Sequence, residues 1–214
     1  MASVGSMSLP GVPAPAAQRL LHCIVGLALF GAGISLVIAA DLGLAPWDVF
    51  HQGLSRRSGL ALGTVIILVG AVMMLLWWPL RERPGWGTVL NTLEIGTVVN
   101  LLEPHLGTFK TPVARALALV GGVVTVALGS GLYIGSALGA GPRDGVMMGL
   151  ERAGWSLRRA RTVIELSALG AGWALGGSIG VGTLVFALGI GPLVHRALPR
   201  LRVADPVSTG SARA

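Results

Sequence analysis

Apolar runs of a length suited to crossing a bilayer, about 20 residues each, recur along this chain between short polar or basic breaks. Six are expected to form transmembrane helices, at roughly 20–40, 61–80, 86–102, 115–137, 161–179 and 181–199. The pattern therefore predicts an all-α fold, a polytopic membrane helix bundle. The first run is too long for the apolar segment of a signal peptide, so it reads as a span. The membrane domain is expected over 19–203. Residues 1–18 are rich in Ser, Pro, Gly and Ala, and 204–214 are polar, so both ends read as disordered tails.

The same pattern is written twice. LGLAPWDVFHQGLSR at 42–56 aligns without a gap on LGAGPRDGVMMGLER at 138–152, and GWGTVLNTLEIG at 85–96 aligns on GVGTLVFALGIG at 180–191. An internal repeat of this kind governs the whole fold. Copy one covers about 20–103 and copy two about 115–200. Three spans per copy is an odd number, so the second copy must enter the membrane from the opposite side. This predicts inverted-topology repeats related by a pseudo-two-fold axis in the membrane plane.

Composition agrees with a membrane protein. Hydrophobic residues make up 53% and charged ones 12%, well below the charged share of a soluble domain. Mean hydropathy is +0.76. The net charge of +7 is spread over the breaks, with no nucleic-acid motif, so nucleic acid is not an expected partner. Arg19, Arg81, Arg83, Arg143, Arg152, Arg158, Arg159, Arg161, Arg196, Arg200, Arg202 and Arg213 fall on one side of a six-span topology. Arg56, Arg57, Lys110 and Arg115 fall on the other. The positive-inside rule then places both termini in the cytoplasm. Cys23 is the only cysteine, which excludes an intramolecular disulfide or a cysteine metal cluster.

The repeated LG-x-x-P-x-D segment is a helix break followed by a helix start. Gly43 and Gly139 end the preceding span, and Gly141 loosens the second copy further. Pro46 and Pro142 suit the first turn of a new helix. Asp48 and Asp144 follow two residues later, where a carboxylate caps free N–H groups. Short helices are expected at about 46–56 and 142–152, lying at the interface or re-entering the membrane. Two compatible readings stand: the aspartates only cap these helices, or the two helix starts line a solute or ion path. Trp47 of the first copy becomes Arg143 in the second, where a guanidinium beside a helix start suits an anion.

Other polar residues fall within the runs. Glu94, with Asn91 one turn before it, sits mid-span in the third run and has Gly189 as its repeat partner. A carboxylate there faces protein or water and is a candidate for coupling or solute contact. Glu165 lies in the fifth run, where Arg161 four residues earlier offers an ordinary ion pair. Asn100 and its partner His195 lie near span ends, and His22 and His51 read as interfacial. The 33 glycines are read mostly as helix packing, with GxxxG spacings at Gly131/Gly135, Gly172/Gly176 and Gly176/Gly180. No catalytic triad, phosphate loop, dinucleotide fingerprint or metal-ligand spacing is present, so neither an enzyme nor a cofactor or metal is expected.

The segments LGLAPWDVFHQGLS, LGAGPRDGVMMGL and GGSIGVGTLVFALGIGP resemble those of the bacterial YczE/YyaS/YitT-type membrane proteins, over nearly the whole chain between its tails. That resemblance implies a multispan protein of the bacterial plasma membrane and leaves the activity unassigned. From the residues, two functions are open: a secondary transporter or exporter of a small solute, or a non-transporting scaffold for a biosynthetic or signalling complex. The partners expected are the lipid bilayer and, for a transporter, a small solute or ion. Self-association into a homo-oligomer is compatible with either.

Overall fold

A computed structural model describes residues 14–203; the tail expected at 204–214, and residues 1–13 of the one expected at 1–18, lie outside them. Among the described residues there are eight helices and no strand. They are α1 (Ala16–Ala40), α2 (Pro46–Ser58), α3 (Leu62–Leu80), α4 (Trp86–Leu106), α5 (Pro112–Gly135), α6 (Pro142–Arg152), α7 (Leu157–Ala174) and α8 (Val181–Leu201). The short helices α2 and α6 start at the two repeated prolines, as the motif predicts. Helix α1 begins at Ala16, so the segment read as tail is helical from there, with the Gln18 and Arg19 N–H groups bonding the Pro15 carbonyl.

Among the described residues four helices are long and apolar enough to cross a membrane: α1, α3, α5 and α8. The other two expected spans are less apolar than their cores suggested. Helix α4 carries Asn91, Glu94, Asn100, Glu103 and His105. Helix α7 opens with Arg158, Arg159 and Arg161, carries Glu165, and stops at Ala174 rather than near 179. It stops because Gly176 turns the chain at φ +95° and the Gly177 N–H closes back on the Gly172 carbonyl at 2.8 Å.

At the centre α1 and α5 lie antiparallel. Gly26 meets Gly129 and Gly33 meets Gly122, backbone against backbone, so the two helices touch along glycine faces seven residues apart. The ends are tied reciprocally. Arg19, at the start of α1, donates to the carbonyls of Ser136 (2.9 Å) and Ala137 (2.6 Å) past the end of α5. Arg115, at the start of α5, donates to the carbonyl of Ala40 (2.8 Å) and to that of Asp41 at the end of α1. These arginines satisfy carbonyls that a helix end leaves without partners.

Helix α4 packs on α1 and α8 on α5; α2 packs on α7, and α3 on both α6 and α4. Here the correspondence between the copies fails, because α7 does not pack along α8 as α3 does along α4. One apolar core joins α1, α3, α4 and α5 around Leu27, Ile66, Val99 and Val126. A second lies around Val37, Leu44, Val49 and Leu119. Over its most apolar stretch α8 is only 11% buried, against 56% for α1, which places α8 at the periphery.

The expected GxxxG contacts are met unevenly. Gly131 and Gly135 lie against the last turn of α8, and Gly172 against Val49 and Phe50 of α2. Gly176 has open space around it and serves the turn after α7, so the spacings that include it are not helix contacts.

Candidate functional site

Each copy of the motif docks its turn onto the start of the last helix of the other copy. Gly43 turns at φ +102° and Gly139 at φ +138°, backbone angles that a side chain disfavours. A Cβ on Gly43 would overlap the Gly180 backbone, and one on Gly139 would meet Thr88 Oγ1 at 2.8 Å. The Gly182 N–H donates to the Leu42 carbonyl (2.7 Å), and the Gly87 N–H to that of Leu138 (2.9 Å). Thr88 and Thr183 each accept from the N–H of the glycine three residues earlier, at 3.2 Å. The Thr88 hydroxyl donates in turn to the Ala140 carbonyl at 2.7 Å.

These contacts turn α2 and α6 inward, so both helix starts border one cavity of about 730 Å³. Copy one contributes Pro46, Trp47 and Asp48; copy two contributes Pro142, Arg143 and Asp144. Asn91, Tyr133, Glu165 and His51 add to the polar wall, and Arg161 and His195 lie at exposed positions. The rest is largely apolar and follows α8 from Thr183 to Leu198, four turns or roughly 22 Å at 1.5 Å per residue. A large, mostly apolar cavity with a few convergent polar groups is the usual form of a small-molecule site.

The expected capping does not occur. Neither aspartate makes a side-chain hydrogen bond to the open N–H groups of its helix. Asp48 is buried, and its Oδ1 faces His51 Nδ1 at 3.4 Å, one turn along α2. His51 is likewise buried in the protein. Both carboxylates still stand in the first turn of their helices, at the positive end of the helix dipole.

Glu165 pairs with Arg143 Nη1 at 3.0 Å across two helices, not with Arg161 on its own helix. Arg143 Nε also lies 3.7 Å from Asp144, and its guanidinium sits over the Trp47 ring, 6.0 Å from the centroid. Residues at the same place in the two copies thus meet face to face. The guanidinium expected to contact an anion is already matched by carboxylates. The Trp47 indole N–H is buried without a partner, so the side chain offers the cavity its ring.

Of the predicted site residues, Asp48, Asn91, Arg143, Asp144 and Glu165 come together around the cavity. Glu94 is not among the lining residues: it is half-buried on α4, next in sequence to the cavity-lining Ile95. His51, Trp47 and Tyr133 were not among the predicted site residues. The i, i+3 spacing of Asp48 and His51 was legible; the Arg143–Glu165 pairing has no local signal. The Tyr133 hydroxyl donates to the Gly139 carbonyl at 2.9 Å, which holds the second turn in place. Among the described residues no group of three His, Cys, Asp or Glu side chains could hold a metal ion.

An all-helical chain with four such apolar helices is an integral membrane protein. It belongs to the family described as a family of unknown function, DUF6198, which residues 17–198 match. It is 35% identical to the uncharacterised membrane protein YczE of Bacillus subtilis over 185 residues, 85% of this chain and 86% of that one. It is also 35% identical to an uncharacterised protein of Haemophilus influenzae over 177 residues, 80% of this chain and 79% of the relative. With the uncharacterised protein YyaS of Bacillus subtilis it shares 23% identity over 187 residues, 85% and 93% of the two chains. No solved structure matches the chain.

Proposed function

We propose that this chain is a secondary transporter or exporter of a small solute in the bacterial plasma membrane. It is built as six spans in two inverted-topology copies with both termini cytoplasmic. The observation that carries the reading is the cavity of about 730 Å³ bordered by the helix start of both copies. Paired half-helix starts at the junction of two repeats are where transporters of this architecture hold their solute. The antiparallel α1–α5 pair, with reciprocal glycine and arginine contacts, supports the inverted arrangement. Asp48, Asn91, Arg143, Asp144 and Glu165 are the residues assigned to the solute path.

The unequal packing of the copies supports alternating access. Helices α3 and α4 pack on each other while α7 and α8 do not, an inequality between the copies. Exchanging those two arrangements would expose the cavity to the other side, since the copies face opposite ways.

The function is tested with purified protein and a panel of cationic, anionic, zwitterionic and neutral solutes. A solute that binds the folded state raises its apparent stability, and hits are then followed by flux into proteoliposomes. Asp144→Asn is expected to abolish flux while the protein still folds and inserts. Silence across the panel together with a stably co-purifying protein would replace transport by the scaffold role. Topology is tested separately in a Cys23→Ala background with single cysteines at Ser58 and Ser156, both exposed. Labelling from opposite sides is expected; labelling from the same side removes the inverted arrangement.

A further inference from the structure

The charges lining the cavity narrow the class of solute, an inference that rests on the transport reading above. Asp48, Asp144 and Glu165 bring three carboxylates against two guanidiniums, those of Arg143 and of Arg161, the latter on an exposed residue. The starts of α2 and α6 return roughly half a positive charge each. Counted with both arginines these charges nearly balance, so what selects a solute is where each one stands. Low-dielectric walls make such placement felt more strongly than in water.

A side-chain cation already lies in this site. The Arg143 guanidinium lies over the Trp47 ring and 3.0 Å from Glu165. An aromatic face with a carboxylate beside it is how proteins hold ammonium-type ligands. Because the indole N–H is sealed, the ring face is what Trp47 presents. Beyond this point the lining turns apolar along α8, through Leu184, Ala187, Ile190 and Val194. Helices α7 and α8 stand apart there, which leaves the apolar part of the cavity free of a covering helix contact.

We propose that the cavity binds an amphiphilic organic cation, its charged centre seated between the Trp47 ring and the Glu165 carboxylate and its apolar body laid along α8. Arg143 is then a tethered competitor. The incoming cation displaces its guanidinium from Glu165 and Trp47, and Asp144, 3.7 Å away, receives it.

The test uses two lipophilic ions of matched shape and opposite charge, tetraphenylphosphonium and tetraphenylborate, with full-length protein in nanodiscs of zwitterionic lipid. Equilibrium dialysis reads binding against empty nanodiscs. Tetraphenylphosphonium is expected to bind at least tenfold more tightly than tetraphenylborate. Trp47→Ala and Glu165→Gln are expected to weaken it at least tenfold. Arg143→Ala is expected to tighten it about tenfold, the opposite of what general damage to the site produces. Arg143→Met serves the same purpose if the alanine variant does not fold, and the wild-type comparison of the two ions stands without either. Equal or tighter binding of tetraphenylborate overturns the inference, as does weaker tetraphenylphosphonium binding by a folded Arg143 variant. If neither ion binds but a neutral or anionic solute from the panel does, the cation assignment falls and the transport reading stands. If no solute of any charge binds, both fall.

Discussion

The glycine faces between α1 and α5 give the sharpest quantitative prediction. A Cβ built on Gly129 would lie 2.6 Å from the Gly26 carbonyl oxygen and 2.6 Å from the Phe30 nitrogen. Ordinary contact begins at 3.4 Å, so Gly129→Ala requires the two helices to part locally by about 0.8 Å. The opposing atoms are backbone, and no side chain can rotate aside. Overpacking of this kind costs about 1–3 kcal/mol, with rigid neighbours at the upper end. Alanine returns about 1 kcal/mol through its better helix propensity. The net loss is then about 2 kcal/mol, or roughly 4–8 °C in melting temperature for a chain of this size. Gly121 is the internal control, because a Cβ there meets nothing within 4 Å. Gly121→Ala keeps the propensity gain alone and is expected to be neutral or slightly stabilising. Gly26→Ala combined with Gly129→Ala should cost less than the sum, since both alanines use the same separation. The assay is thermal unfolding of detergent-purified variants, followed by tryptophan fluorescence. A Gly129→Ala protein melting at or above the Gly121→Ala protein would refute the close α1–α5 contact.

Three further outcomes follow from the ties around that core. Arg19→Ala and Arg115→Ala each strip two charged donors from helix-end carbonyls and should each destabilise by about 1.5–3 kcal/mol, measured by thermal unfolding. Lysine should not restore the loss, because it lacks the fork that reaches both oxygens. Gly43→Ala adds a Cβ at φ +102° against the Gly180 backbone, so its yield of folded protein on size-exclusion chromatography should collapse; Gly59→Ala, strained at φ +73° but in open space, should keep most of it. Trp77→Phe removes the 2.8 Å hydrogen bond to the Pro142 carbonyl and should cost about 1 kcal/mol, with loss of a buried, blue-shifted component of the emission. Retention of that component would remove Trp77 from the start of α6.

The helix starts at Pro46 and Pro142 were legible because glycine, proline and aspartate act on the backbone within a few residues. The boundary after Ala174 was not, since the apolar run continues past it and Gly176 ends the helix through its turn rather than through polarity. The candidate site divides in the same way. Asp48, Arg143 and Asp144 were legible from the repeated motif, and their gathering at one cavity was not. Glu94 had the most prominent single-residue signal and lies outside that cavity, because hydropathy reports depth along a helix and says nothing of which neighbour each face meets. The glycine contacts were overlooked for a related reason. Their spacing is seven rather than four, and it has meaning only when two helices 96 residues apart in sequence lie antiparallel.

The sequence by itself determined that this is a helical membrane protein, that its chain repeats, and where its short helices begin. Those properties depend on residue type and near neighbours: apolar length, helix propensity, and the angles that glycine and proline allow. Only the tertiary structure decided that Trp47 of one copy meets Arg143 of the other, that Arg143 pairs with Glu165 instead of an anion, and that α7 stands off α8. Each of these depends on distances between elements far apart in the chain, which packing sets and local pattern does not encode.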